Sequence, residues 1–253
     1  MKHRASLRAV ALLGWAAVAA LASGTALAFT ADELVARNLA ARGGSDKLAA
    51  IHSLRTTGKV LIQGGVIELK YTVMAKQPGV IRMEASIQGL TQVQAYDGHT
   101  GWQIDPFQGR KDPEQLSADD AKDLAEGAAE ITGPLAVYKA KGYTLDYLGT
   151  EDVDGTEAHK LRVTRPNGDI TYVYLDPDYF LEIRTVTRSI QHGVPHETVT
   201  DYSDYEKVDG VYFAFASESG PKGSTEREKF QIDKAEVNID LPDAQFRMPG
   251  AKP

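Results

Sequence analysis

From Thr57 onward, hydrophobic positions recur at every second residue. Between Val66 and Lys76, Ile67, Leu69, Tyr71, Val73 and Ala75 share one face, while Glu68, Lys70, Thr72 and Lys76 share the other with Met74. Gly64-Gly65 turns the chain before this segment and Pro78-Gly79 turns it afterwards. The next segment repeats the habit, setting Ile81, Met83, Ala85 and Ile87 against Arg82, Glu84 and Gln88. One dry face and one wet face predict antiparallel strands covered on a single side. Asp97-Gly98 then marks a hairpin that places Trp102 on its second strand, before a polar connection that follows Pro106. Downstream, Asp154-Gly155, Asn167-Gly168, Asp176-Pro177, Asp209-Gly210 and Gly220-Pro221 punctuate further alternating runs. The pattern predicts about eleven strands joined mostly by short turns, which suits a barrel or a strongly curved sheet.

The period lengthens to that of a helix in two places. In the first, Thr30 and Glu33 have capping-box spacing ahead of Leu34, Val35, Asn38 and Leu39, and Gly43-Gly44 ends the helix. Ser45 then reads as the cap of a second helix carrying Leu48, Ile51 and Leu54. In the second, Ser117 and Asp120 have N-cap and N3 spacing ahead of Leu124, Ala128 and Ile131, and Pro134 interrupts before Leu135 to Tyr138. A short helical excursion inside a chain of strands predicts a lid over the sheet.

Composition narrows the setting. Lys2, Arg4 and Arg8 precede an apolar run from Ala9 to Ala22, and Ala26-Leu27-Ala28 follows, the pattern of a cleaved secretory signal over residues 1–28. A single domain over residues 29–253 is then expected, in the periplasm of a Gram-negative host. The chain has no cysteine, so neither a disulfide nor a lipid-modified cysteine is available to it. Its net charge is −7, and about −10 once the leader is removed. That balance argues against nucleic acid and anionic membrane surfaces as partners.

The chain resembles the LolA-like family, the outer-membrane lipoprotein-sorting proteins and their relatives. The likeness rests on Ala41-Arg42-Gly43-Gly44, on Tyr96-Asp97-Gly98 with Gly101-Trp102, and on Gly133-Pro134-Leu135 with Lys141-Gly142. Gly149 with Val153-Asp154-Gly155, and Asp204-Tyr205 with Val208-Asp209-Gly210, complete it. The resemblance implies a mainly β, α+β fold: a half-open antiparallel barrel whose apolar face is closed by helices. It further implies a carrier of lipoprotein acyl chains or lipid, with membrane-bound donor and acceptor proteins as its other partners. One departure is visible: the lipoprotein carriers have an arginine before the proline that follows the second long strand, and this chain has Gln77 before Pro78.

Candidate chemistry is sparse, and no catalytic residue, metal site or cofactor is expected. His192 and His196 are four apart, but Gly193 and Pro195 make their segment a turn, which removes the helical geometry that would bring both to one ion. His99 beside Asp97 is accounted for by the turn. No Gly-x-Ser-x-Gly elbow or phosphate-binding glycine loop occurs. The apolar inventory says more. Ile67, Leu69, Tyr71, Val73, Ile81, Met83, Trp102 and Phe107 are the expected cavity lining, with Leu124, Ile131 and Leu135 on the lid, because a curved sheet of this size encloses more volume than its side chains fill. A non-enzymatic carrier is the leading expectation. The alternative is an envelope sensor or scaffold that uses the same fold to bind a protein partner.

Overall fold

The computed structural model describes residues 29–250, so the expected leader lies outside the described residues. Two helices open the described residues, α1 (Ala31–Ala41) and α2 (Ser45–Ala49). Strands β1 (Ser53–Ile62), β2 (Ile67–Lys76), β3 (Val80–Ile87), β4 (Leu90–Tyr96), β5 (Gly101–Asp105) and β6 (Arg110–Gln115) follow. A helical crossover comes next, α3 (Ala118–Ala129) and α4 (Pro134–Lys141). The chain then returns to strands: β7 (Thr144–Val153), β8 (Thr156–Thr164), β9 (Ile170–Leu175), β10 (Glu182–Gln191), β11 (Val194–Val208), β12 (Val211–Pro221) and β13 (Glu228–Val237).

All thirteen strands form one antiparallel sheet in the order β6-β5-β4-β3-β2-β1-β13-β12-β11-β10-β9-β8-β7. Two meanders are thus sewn together by a single long-range pairing, β1 with β13, in which Val60 faces Phe230 and Leu54 faces Val237. The two edge strands, β6 and β7, are the ones the α3–α4 crossover connects. The sheet is open and curved, as the half-open barrel reading expects, and has two more strands than the alternation suggests. One of them is β6, whose Arg-Lys-Asp-Pro-Glu-Gln composition has no alternation to reveal it and reads as a polar connection. Such a short, charged, proline-bearing segment is suited to an edge.

The helices cover one face, here called inner. Leu34 and Val35 of α1 and Leu135 and Tyr138 of α4 pack on Leu161, Val163, Val173 and Leu175 of β8 and β9. Leu48 and Ile51 pack on Val211, Phe213, Phe215 and Val237. Leu124 and Ala128 of α3 pack on Ala75 and Ile81. The outer face has its own clusters, one of which joins Val93, Ala95 and Trp102 under Met248 of the C-terminal segment.

Local chemistry explains the helix boundaries. Thr30 and Glu33 close the expected capping box, and Ser117 Oγ accepts from the Asp120 N–H at 3.1 Å. The second helix is shorter than its pattern suggests. It stops at Ala49, Gly44 rather than Ser45 holds the cap position, Ile51 lies in the following loop, and Leu54 already belongs to β1. Its three apolar residues share one core because the chain turns there, not because a helix continues. Pro134, expected to break a helix, instead begins α4, since the first helical turn needs no N–H from that position.

Two glycine motifs meet across the fold. Gly43 has φ of +119°, and a Cβ there would stand 2.2 Å from the carbonyl oxygen of Gly210. The Arg42 carbonyl accepts from the Tyr212 N–H at 2.9 Å, so the end of α1 is clamped onto the β11–β12 turn. The buried Arg42 guanidinium donates from Nη1 to the Thr132 carbonyl at 2.8 Å and to Glu182 Oε1 at 3.3 Å. Both motifs therefore serve to tie helices to sheet.

Candidate functional site

The inner face of β1 to β4, continued onto β13, is left partly uncovered by the helices. There Val60, Ile62, Leu69, Tyr71, Met83 and Phe230 surround a cavity of about 320 Å³, with Phe107 at its rim. Tyr71 and Phe230 meet edge to face with ring centroids 5.3 Å apart. Burial and the charge of Glu228 push the Tyr71 phenol up to about 12, so it stays a neutral hydroxyl. A second cavity, about 470 Å³, lies between α3 and the sheet, against Ile81, Leu116, Leu124 and Gly127. Met83 and Gln94 line both, so the two spaces are neighbours separated by those side chains. The first cavity, mostly apolar with a few polar groups on its wall, has the usual make-up of a small-molecule site. The second is more polar, with Gln94, Gln103, Asp120 and Asp123 on its wall.

Helix α3 is fastened differently on its two sides. Toward β2 and β3 its contacts are apolar, through Leu124 and Ala128. Toward the other meander they are polar. Lys122 Nζ donates to Asp169 Oδ2 at 2.6 Å, and Asn167 Nδ2 donates to Glu126 Oε1 at 2.5 Å, both from the β8–β9 turn. Gln191 Nε2 donates to Asp123 Oδ2 at 2.5 Å from the β10–β11 hairpin tip. Beneath the end of α3, Arg165 forms a two-pronged pair with Glu130, 2.8 Å on each side, and also donates to Thr171 Oγ1 at 2.9 Å. A fork of this kind fixes orientation as well as charge.

The expected site residues divide by position. Leu69, Tyr71, Met83 and Phe107 line the first cavity, and Ile81, Met83 and Leu124 line the second. Val73 and Ile131 pack around the α3 cluster, and Ile67 ends the same inner row as Leu69 in half-buried surroundings. Trp102 and Leu135 lie elsewhere. Trp102 is fully buried on the outer face, where its indole N–H donates to the Phe246 carbonyl at 2.7 Å. Leu135 is fully buried in the α1–α4 core. Alternation along β5 sends Trp102 outward, and the C-terminal segment that covers it could not be anticipated from the hairpin alone.

Val60, Ile62, Gln92, Gln94, Glu228 and Phe230 complete the first cavity and were not among the expected residues. Val60 and Ile62 alternate on β1 as visibly as Leu69 does on β2. Phe230 needed the β1–β13 pairing, which joins residues about 170 apart in sequence. At the position before Pro78, Gln77 donates its side-chain amide to the Ile51 carbonyl at 3.1 Å, tying the end of β2 to the start of β1. His192 and His196 sit at and just past a hairpin tip, both exposed. Among the described residues, no cluster of three or more His, Cys, Asp or Glu is placed to hold a metal ion.

No family model matches the chain, and no curated protein sequence matches it. Solved structures do. A LolA superfamily protein from Nitrosomonas europaea aligns with a TM-score of 0.57 at 16% identity, over 87% of this chain and 98% of that one. An outer membrane lipoprotein-sorting protein domain from Vibrio parahaemolyticus aligns at 0.56 with 11% identity, over 85% and 94%. A DUF1329 family protein from Desulfovibrio piger gives 0.51 at 14% identity, over 84% and 95%. The chain thus has the LolA-like fold, an open curved sheet closed by helices, across nearly all its described length.

Proposed function

We propose that this protein is a non-enzymatic periplasmic carrier that holds the acyl chains of a lipoprotein, or a lipid, against the inner face of β1 to β4 and passes them toward the outer membrane. The observation that carries this reading is the apolar cavity on the inner sheet face, walled by Val60, Leu69, Tyr71, Met83 and Phe230, which shares Met83 and Gln94 with the space under α3. Each methylene buried there contributes about 0.8 kcal/mol, so a chain can be held without strong headgroup contacts. Helix α3 acts as the lid in this proposal, because apolar contacts seat it on one meander while polar contacts fasten it to the other. Those polar contacts are exposed where the hairpin tip meets its first turns and buried at the Arg165–Glu130 pair under its end. The secretory pattern of residues 1–28 and the fold shared with a lipoprotein-sorting protein domain support an envelope location. No helix among the described residues is long and apolar enough to cross a membrane.

Native mass spectrometry of the protein, purified from its own periplasm without detergent, tests the reading. A co-purifying lipid or acylated peptide is the expected result. A clean apo mass that also fails to bind added twelve-carbon amphiphiles would overturn it and favour a protein-binding sensor.

A further inference from the structure

The carrier reading leaves open what polar group the ligand presents, and the charges around the two cavities bear on that. Among the described residues, Glu228 is the charged side chain that lines the first cavity, and Asp120 and Asp123 are those that line the second. Glu84 borders the first cavity, but its carboxylate alternates to the outer face and pairs there with Arg82 Nε at 2.7 Å. No lysine or arginine among the described residues lines either cavity. The nearest cations on α3 and its partner turn are already committed, Lys122 to Asp169 and Arg165 to Glu130. An anionic head would meet carboxylates with no cation to offset them, and such like-charge contacts oppose binding.

The neutral polar groups point the same way. Gln92, Gln94 and Gln103 add side-chain amides to the cavity walls, each able to donate and accept at once. From the Glu228 and Phe230 side of the first cavity, the inner face continues as a row of hydroxyls. Ser219 pairs with Glu228 across β12 and β13, and Thr200 Oγ1 lies 2.9 Å from Ser219 Oγ. Thr185 Oγ1 lies 3.2 Å from the Tyr202 hydroxyl, and Thr185 is in register with Thr200. Hydroxyls and amides beside aromatic rings suit a group that offers many O–H donors and acceptors and carries no charge.

On the basis of the carrier reading, we infer that the ligand is an amphiphile with an uncharged, polyhydroxyl head, sugar- or glycerol-like. Its chain occupies the cavity under Tyr71 and Phe230, while its head lies over Gln92, Gln94 and Glu228 toward the Thr200–Ser219 row. Carboxylate- and phosphate-headed lipids are excluded by the acidic lining.

Isothermal titration calorimetry on the full mature protein tests this with three probes of equal chain length, below their micelle concentrations: dodecyl maltoside, dodecanoate and dodecyl phosphate. The expected order has the maltoside at least tenfold tighter than either anion. In Glu228→Gln, at an exposed position where folding is not at risk, the discrimination against dodecyl phosphate should fall severalfold. In Gln94→Leu, the maltoside should weaken while dodecanoate does not. Equal or tighter binding of the anions, or a ratio unmoved by Glu228→Gln, would overturn the headgroup inference alone. Binding of none of the three would overturn it together with the carrier reading.

Discussion

The backbone N–H of His192 donates to Asp119 Oδ2 at 2.8 Å, which seats the tip of the β10–β11 hairpin on the first turn of α3. The imidazole Nε2 of the same residue lies 3.3 Å from Asp120 Oδ1. One meander thereby reaches across the inner face to hold a helix whose apolar side rests on the other. Every group in this clasp is exposed, so its net worth is small and its release is easy.

Weakening the hairpin tip's hold on α3, through Asp119 and Asp123, should loosen the lid and leave the sheet intact. The double variant Asp119→Ala, Asp123→Ala is expected to lower global stability by no more than about 1 kcal/mol. Amide exchange over residues 118–129 should rise roughly fivefold, the equivalent of that energy, while β8 and β9 stay protected. Unchanged exchange in α3 would show that the hairpin tip does not restrain it.

Filling the cavity should compete with any chain that occupies it. Ala85 lies in register with Tyr71 and borders the first cavity. Ala85→Phe places a ring in that space and is expected to weaken binding of a twelve-carbon amphiphile at least tenfold, about 1.4 kcal/mol. The melting temperature should hold or rise, because the new ring enters empty volume rather than packed core. Undiminished affinity would locate the chain elsewhere on the inner face.

The two glycines that end α1 should respond unequally to alanine. At Gly43 the added methyl meets the Gly210 carbonyl, a backbone atom that cannot swing aside, and the φ is positive as well. Gly43→Ala should cost about 2–4 kcal/mol in urea unfolding. Gly44 has a φ of +107° but nothing within 4 Å of the same methyl, so Gly44→Ala should cost only the backbone strain, roughly 1 kcal/mol. Similar costs at both positions would remove the case for a tight α1 to β11–β12 contact.

Acid should weaken the α1 end of the core through His159. Burial, with the charge of Arg37 as the second cause, holds its pKa below the usual imidazole value. The ring stacks on Phe180 at 5.9 Å between centroids and lies 3.0 Å from the Tyr147 hydroxyl. The unfolded chain therefore takes up a proton at a pH where the folded one does not. Stability from this group is complete above the ordinary value near 6.5 and falls as pH drops through it toward the lowered one. Chemical denaturation from pH 7.5 to 5 should show a shallower loss in His159→Phe, which keeps the ring and removes the titration. An identical slope would assign the acid response to other groups.

Much of the architecture was legible because strand alternation and turn residues are local signals. The inner row from Ile67 to Ala75, the row from Ile81 to Ile87, and the caps at Thr30 and Ser117 need only their neighbours in sequence. What misled were places where local pattern and packing part company. Ser45, Leu48, Ile51 and Leu54 have helical spacing, yet a loop and a strand put three of them in one core. Strand β6 has no pattern because an edge needs none.

The sequence alone determined which face of each strand is apolar, where the chain turns, and that the helical crossover falls between the two runs of strands. Side-chain period and glycine conformation act over a few residues, so no knowledge of the rest of the fold was required. Only the tertiary structure decided that β1 pairs with β13, that Phe230 and Glu228 thereby join Leu69 and Tyr71 around one cavity, and that Trp102 is sealed on the opposite face. It also decided that α3 is held by the far meander. These depend on contacts between residues distant in sequence, and the closing of such long loops leaves no mark in local composition.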